Sequence, residues 1–449
     1  MINMKKVVLS MFLFLVGCLC EAKITVTISG KITNLATGEV MLSGAFGPDI
    51  IKVKPDGSFS QKLELDYAGK YYFGAGDNAT FLYLRDKSNL VISADAKNFF
   101  KTVKFSGTDA SENAYLAKKE EITNAMDFKA FYSSDEKSYL NQIAKLKADM
   151  TAALAKSKPA KTFSELEARD LYYMEQSFLW NYPSYHPGIT KKENFVLATD
   201  FPKPEKDKIN FNNGTDYAFS MSFREMTSRW VSENLPKDSA DKYPVFEAVK
   251  QFDSPLMRDA ILSGLQYNIN AGNPDSKELY DRLTAVVTSE KAKKDFDLKL
   301  AAIERTKAGN ASPTFDYENV GGTKTSLESL RGKYVYIDVW ATWCGPCREE
   351  IPHLQKMEMA YHGKKIEFVS ISADKQKDRE KWKKMIAEKQ MGGLQLLTDK
   401  DFDSEFIKAY AIDGIPRFIL IDPSGKIVNA DAPRPSDPEL AKLLDSLPL

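Results

Sequence analysis

The most informative stretch of this 449-residue chain is DVWATWCGPC, residues 338–347. It overlaps the near-continuous apolar run YVYIDVW, Tyr334–Trp340, which predicts a central strand buried on both faces. Directly after this strand come Cys344 and Cys347, separated by two residues and followed by a segment with helical spacing. Such a pair can bind a metal, staple the chain as a disulfide, or work as a reversible redox couple.

The sequence disfavours the metal site and the structural staple. A structural zinc site takes four ligands, and no second CxxC or pair of histidines supplies two more beside Cys344 and Cys347. We therefore predict no metal and no other cofactor. A disulfide across so short a ring adds little loop-closure entropy, so stapling is a weak reason for this spacing.

The predicted start of a helix at the first cysteine favours the redox couple. Unpaired N–H groups and the positive dipole end of a helix stabilise an anion, which lowers the pKa of the Cys344 thiol. The resulting thiolate is the nucleophile of disulfide exchange. Cys347 lies one helical turn further on, from where it can resolve a mixed disulfide formed at Cys344.

Hydrophobic periodicity divides the chain into regions of different structure. Residues 23–107 alternate with period two between turn signals and predict an antiparallel β-sandwich. Residues 108–309 have helical spacing and predict an all-α region, in which two prolines within 180–188 predict a loop between helices. Strands and helices alternate in residues 312–449, which predicts an α/β domain with parallel strands.

Residues 1–22 read as a signal peptide, with Lys5 and Lys6 before a short apolar segment. The sequence LVGC ending at Cys18 resembles the lipobox of bacterial lipoproteins, which implies an acylated Cys18 and a lipid tether. Ordinary cleavage, for example after Ala22, is the alternative. Either way the chain crosses a membrane into an oxidising compartment.

The net charge of the whole chain excludes some classes of partner. Its 62 basic and 62 acidic residues balance. This gives no support to nucleic-acid binding or to a polybasic patch that binds membranes.

Two motifs carry a resemblance to a known family. The run 338–347, with Trp343 before the first cysteine, resembles the active site of thioredoxins. The run CREEIP, 347–352, resembles the TlpA/ResA group of membrane-anchored or periplasmic thiol–disulfide oxidoreductases. The resemblance covers about residues 312–449 and implies a thioredoxin-like fold there. The order of signal, β-region and helical region is similar to that of multidomain lipoproteins of the Bacteroidota.

The resemblance also implies roles for the two cysteines and two acids. Cys344 matches the attacking cysteine and Cys347 the resolving one. Asp338 matches the buried acid of thioredoxin, which should have a raised pKa and accept the Cys347 proton. Glu350 matches a functional glutamate of ResA-like proteins, with a surface acid near the helix start as the alternative. Which acid accepts the proton stays open.

The run DGIPRF, 413–418, is the second motif of the resemblance. It implies a cis bond between Ile415 and Pro416, facing the cysteines, although a trans proline at the start of a strand is the plain alternative. The backbone of Ile415 would then pair with a substrate chain in β-fashion. The predicted substrate-binding residues are Trp343, Gly345, Pro346, Ile415 and Pro416.

These observations predict an extracytoplasmic thiol–disulfide oxidoreductase of the cell envelope. The Gly-Pro dipeptide between the cysteines is that of thioredoxin, a strong reductant, and favours a reductase. The expected partners are disulfide-containing envelope proteins, apocytochrome c among them, and a membrane thiol that donates electrons. A thiol oxidase, a thiol peroxidase and a binding lipoprotein with an accessory thioredoxin unit are the alternatives.

Overall fold

The computed structural model describes residues 23–449, so the predicted signal peptide and the predicted lipidation at Cys18 lie outside the described residues. The chain forms two compact units. Unit 1 takes the described residues up to Ser263 together with Val287–Ala292, and unit 2 takes Gly264–Val286 and Lys293–Leu449. The predicted boundaries at 107 and 309 stay a prediction. Within 23–449, no helix is both long and apolar enough to span a bilayer.

The sheet-rich part of unit 1 has eight strands. They are β1 Ile24–Thr33, β2 Glu39–Ser43, β3 Pro48–Lys52, β4 Ser58–Leu65, β5 Gly69–Ala75, β6 Asn78–Leu84, β7 Asn89–Asp95 and β8 Lys104–Gly107. They form two four-stranded sheets, in the orders β4-β1-β7-β8 and β3-β2-β5-β6. The predicted purely antiparallel pairing is wrong at one place, since β1 and β7 pair in parallel. A strand so far along the chain can return to β1 in either direction, and local alternation does not specify which.

The rest of unit 1 is helical. Its helices are α1 Phe99–Thr102, α2 Ala110–Asn124, α3 Phe128–Ser133, α4 Glu136–Ser157, α5 Lys161–Thr190, α6 Gly214–Phe219, α7 Met221–Glu233, α8 Val245–Ala248 and α9 Pro255–Ser263. The loop predicted within 180–188 is wrong, because α5 continues through Pro183 and Pro187. The two prolines have no N–H group and therefore cost α5 two backbone hydrogen bonds. Buried aromatic contacts around Tyr182 and the burial of His186 stabilise this part of the helix in their place.

Unit 2 contains a seven-stranded sheet and six helices. One of these helices, Glu290–Arg305, begins within the segment Val287–Ala292 that belongs to unit 1. The strands are β9 Asp316–Asn319, β10 Lys324–Ser326, β11 Tyr334–Trp340, β12 Ile366–Ser372, β13 Leu394–Leu397, β14 Arg417–Ile421 and β15 Ile427–Asn429. The helices are α10 Ser276–Val286, α11 Glu290–Arg305, α12 Gly345–Ala360, α13 Arg379–Lys389, α14 Glu405–Ala409 and α15 Pro438–Asp445. The strand order is β10-β9-β13-β12-β11-β14-β15.

The direction of β14 corrects the prediction of parallel strands and positions the site. β11, β12 and β13 are parallel, but β14 runs antiparallel to β11, with Val339 opposite Arg417. The first residue of β14 therefore lies beside the carboxyl end of β11. Because the cysteines follow β11 and Pro416 precedes β14, this pairing brings the two sequence motifs together.

The two faces of β11 are buried against different clusters. Val335, Ile337 and Val339 pack on one side. Tyr336 packs on the other side with Leu354 of α12. The alternation of side chains along a strand therefore turns Asp338 toward the α12 face.

Candidate active site

The two cysteines lie at the start of α12. Cys344 is the N-cap residue of this helix, and the backbone N–H of Cys347 donates to its Sγ at 3.1 Å. The two form a disulfide, with their Cα atoms 5.3 Å apart. A helix N-terminus that already directs an N–H at the Cys344 sulfur would stabilise the thiolate after reduction.

The turn between β11 and the first cysteine is held by an acid that sequence reasoning missed. The N–H and Oγ1 of Thr342 donate to the two carboxylate oxygens of Asp374, at 2.9 and 2.8 Å. Ser372 donates a further bond to Asp374 at 2.7 Å. Asp374 lies two residues after the end of β12, the strand beside β11. A polar residue at the carboxyl end of a neighbouring strand is the sequence signal that could have identified it.

The bond between Ile415 and Pro416 is cis, as the resemblance implied. The carbonyl oxygen of Ile415 lies 3.7 Å from the Sγ of Cys344. The structure therefore places a backbone acceptor of the loop before β14 directly against the first cysteine.

The other predicted substrate-binding residues surround the start of α12. Trp343 is 57% exposed, and its ring centroid is 6.2 Å from that of Phe402. Pro346 is exposed and Gly345 is half-buried. A Cβ at Gly345 would meet nothing within 4 Å, so the packing of the chain itself does not require glycine there. The surface that surrounds the buried disulfide thus consists of an exposed indole and an uncrowded Gly-Pro dipeptide.

Asp338 is buried beneath this surface. Trp340 follows two residues later on the same face of β11, and it packs with Cys344, Cys347 and Trp382. The Oδ1 atom of Asp338 is buried without a hydrogen-bond partner. Burial, followed by the charges of Glu350 and Glu358, raises the pKa of Asp338 to about 8. A carboxyl with a pKa so close to that of an ordinary thiol is suited to exchange a proton with one.

Asp338 belongs to a polar row that crosses three strands, and sequence reasoning missed the row. In the sheet register Asp338 is beside Ser370 of β12, and Ser370 is beside Gln395 of β13. The Oε1 of Gln395 is a second buried acceptor without a partner, and its Nε2 donates to the carbonyl of Gly392 at 2.7 Å. Only the register of three strands separated along the chain assembles this row.

Glu358 of α12 lies near the Gly392 end of the row. A Cβ placed on Gly392 would meet its Oε2 at 2.4 Å, so the carboxylate rests against that turn. Burial raises the pKa of Glu358 to about 7. Its negative form opposes the ionisation of Asp338.

Glu350 is buried and bound to the loop before α15. Its Oε2 accepts the N–H of Ser436 at 2.9 Å, and its Oε1 accepts the hydroxyl of the same residue at 2.8 Å. The alternative of a surface acid is therefore wrong. The Glu350 charge acts on the pKa of Asp338, and its role in proton transfer stays a prediction.

Comparisons with known proteins match this part of the chain. The family described as Redoxin matches residues 307–445. The thiol-disulfide oxidoreductase ResA of Bacillus thuringiensis is 30% identical over 128 residues, which are 28% of this chain and 69% of the relative. ResA of Bacillus subtilis is 27% identical over 134 residues, covering 30% of this chain and 72% of that protein. A candidate thiol-disulfide oxidoreductase of Bacteroides vulgatus, solved in solution, is 48% identical and covers 31% of this chain and 93% of its own, with a TM-score of 0.28.

Proposed function

The chain belongs to the TlpA/ResA-like thiol–disulfide oxidoreductases of the thioredoxin fold, and from this premise we propose that it reduces protein disulfides through Cys344 and Cys347. One observation carries the proposal. The Sγ of Cys344 lies at the N-terminus of α12 and 3.7 Å from the carbonyl oxygen of Ile415. A nucleophilic sulfur and a backbone acceptor for an extended chain therefore meet at one point.

The reaction starts from the dithiol form. The Cys344 thiolate attacks one sulfur of the substrate disulfide, that S–S bond breaks, and the other substrate sulfur leaves and takes up a proton. Cys347 transfers its proton to Asp338 in its ionised form and attacks the Sγ of Cys344. The mixed disulfide breaks, the second substrate sulfur leaves as a thiolate and takes up a proton, and the Cys344–Cys347 disulfide remains. Two electrons pass from the dithiol to the substrate.

A further cycle needs a dithiol donor, and an oxidising compartment does not supply one. We propose a membrane thiol as the donor, disulfide-containing envelope proteins as substrates, apocytochrome c among them, and a location in the cell envelope. A lipid on Cys18 would tether the chain to the membrane. The sequence features of residues 1–22 support this location, and the Gly-Pro dipeptide between the cysteines supports the reducing direction.

Trapping tests the proposed roles of the cysteines. The Cys347→Ser variant should accumulate mixed disulfides at Cys344 when it meets an oxidised protein substrate, because the resolving thiol is absent. The Cys344→Ser variant, which keeps the other thiol, is the matched control and should trap nothing. Mass spectrometry of the non-reduced adducts identifies both the cysteine and the captured partner.

Two results would contradict the proposal. Equal trapping by both variants would show that the assigned order of attack is wrong. A redox potential near that of DsbA instead of thioredoxin would replace the reductase with an oxidase.

A further inference from the structure

Unit 2 includes residues that precede the match to the Redoxin family, and these residues contact the loop that carries Ile415 and Pro416. Helices α10 and α11 lie outside residues 307–445, yet Gly264–Val286 and Lys293–Leu449 form one compact unit. We use the name recognition segment for residues 264–305 within this unit, namely 264–286 and 293–305. Two contacts connect this segment to the loop that carries Ile415 and Pro416.

The first contact holds the residues just before the cis bond. The Nζ of Lys299, on α11, forms an ion pair with the carboxylate of Asp413, two residues before Ile415. The Lys299 side chain is 12% exposed and that of Asp413 is 37% exposed, so the pair is partly shielded from solvent. The same Nζ lies 5.3 Å from the ring centroid of Tyr267. The aromatic ring and the cation are thus neighbours at the edge of the loop.

The second contact holds the residue just after the cis bond. The Nη1 of Arg417 bonds to Oδ1 of Asp431 at 2.6 Å. The other carboxylate oxygen of Asp431 occupies the position that a Cβ on Gly272 would take, 1.8 Å away. A side chain at residue 272 would require the Asp431 carboxylate to move, so glycine at this position lets the recognition segment lie close to that carboxylate. The recognition segment therefore contacts the loop directly at Asp413, and on the other side of the cis bond it reaches the loop through Asp431.

We propose that the recognition segment selects extended polypeptides that carry a disulfide, with Tyr267 contacting the substrate and Lys299 positioning the loop. This inference rests on the proposed function. A chain that pairs with Ile415 advances about 3.3 Å per residue, so residues beyond its cysteine on the Asp413 side would run toward Lys299 and the neighbouring ring of Tyr267. Tyr267 is 60% exposed and offers a rigid amphipathic surface of the kind that dominates recognition sites. A small disulfide ends before this point.

Steady-state kinetics with two substrates test the contact made by Tyr267. For the Tyr267→Ala variant of the full chain, we expect the KM for insulin to rise about fivefold. The kcat/KM for oxidised glutathione should stay within about twofold, because this disulfide cannot reach the ring. Leu298→Ala is the comparison variant, since Leu298 of α11 is also 60% exposed but is not the residue that we place against the substrate, and its effect on insulin should be smaller than that of Tyr267→Ala.

Each outcome of this comparison has a distinct meaning. If the unaltered protein reduces neither substrate, the proposed function fails. If it reduces both and Tyr267→Ala behaves like Leu298→Ala, only the role of Tyr267 is refuted. An equal loss on both substrates would also refute it, because that pattern indicates damage to the cysteines' surroundings.

The positioning role of Lys299 needs a test that separates it from stability. Lys299→Met keeps most of the aliphatic stem but removes the ion pair with Asp413, and it should lower kcat/KM for insulin about tenfold. Lys299→Arg restores the pair and should recover most of that loss. A Lys299→Met variant that unfolds more easily yet reduces insulin normally would show that the pair is only structural and would overturn this role.

Discussion

Replacing Asp338 with asparagine should stabilise the oxidised chain, and the gain should grow with pH. In the unfolded chain an aspartate loses its proton near pH 3.8, whereas burial keeps Asp338 protonated until about pH 8. Between these values the unfolded state alone is ionised, and each pH unit lowers the free energy of unfolding by about 1.4 kcal/mol. The cost is near zero at pH 4, about 4 kcal/mol at pH 7 and about 6 kcal/mol above pH 8. Asparagine removes it, and these values are upper limits because the surroundings relax.

Because Asp338 lies in unit 2, the assay has to measure the unfolding of unit 2 separately from that of unit 1. Guanidinium unfolding of the oxidised protein, equilibrated at pH 5, 7 and 9, can be followed by a hydrogen-exchange pulse at one fixed pH. Peptides from β11 and β12 then give the unfolding midpoint of this sheet. The difference between Asp338→Asn and the unaltered protein should be about 2 kcal/mol at pH 5, rise through pH 7 and be largest at pH 9.

A second buried acid provides the control. Asp374 accepts hydrogen bonds through both carboxylate oxygens, so Asp374→Asn should destabilise the same sheet. A gain in stability for Asp338→Asn that is independent of pH would contradict this prediction, because it would show that packing, and not ionisation, causes the difference in the free energy of unfolding between the two proteins. A loss of stability at pH 9 would refute it more directly.

Two further predictions concern the acids of α12. Glu350→Ala should lower the free energy of unfolding of unit 2 by about 1–3 kcal/mol, because the N–H of Ser436 loses its acceptor. The same exchange-pulse unfolding measures this loss, and an unchanged unfolding midpoint would contradict the prediction. Glu358→Gln removes a negative charge that raises the pKa of Asp338, so the pH at which mixed-disulfide resolution becomes fast should fall. Stopped-flow pH profiles of that step check this, with exposed Glu349→Gln as the control, and a shift to higher pH would contradict the assigned sign.

Local patterns were sufficient to predict the elements that carry the chemistry. An apolar run of strand length followed by a CxxC predicts a strand, a turn and a helix N-terminus, and the structure shows Cys344 as the N-cap of α12. The position of Asp338 on a doubly buried strand predicts its burial and therefore the raised pKa. Both conclusions follow from neighbouring residues, whose relative positions are set by strand and helix geometry.

Local patterns failed where distant segments compete. Pro183 and Pro187 predict a break, but aromatic contacts around Tyr182 outweigh the lost backbone hydrogen bonds. For Glu350 the local pattern left a functional acid and a surface acid open, and only the loop at Ser436, which covers it and binds both its oxygens, rules out the surface. In each case the deciding partner is remote along the chain.

Neighbouring residues alone specify a thioredoxin-like pair of cysteines at a helix start, with a buried acid before it. Contacts between distant segments specify what surrounds that pair. The antiparallel direction of β14 brings Ile415 to Cys344, and the pairing of Lys299 with Asp413 adds the recognition segment to the same loop. The difference comes from the separation along the chain over which each interaction acts. Periodicity and capping act within a few residues, whereas strand order, register and ion pairs depend on closing loops whose sequences do not specify where they return.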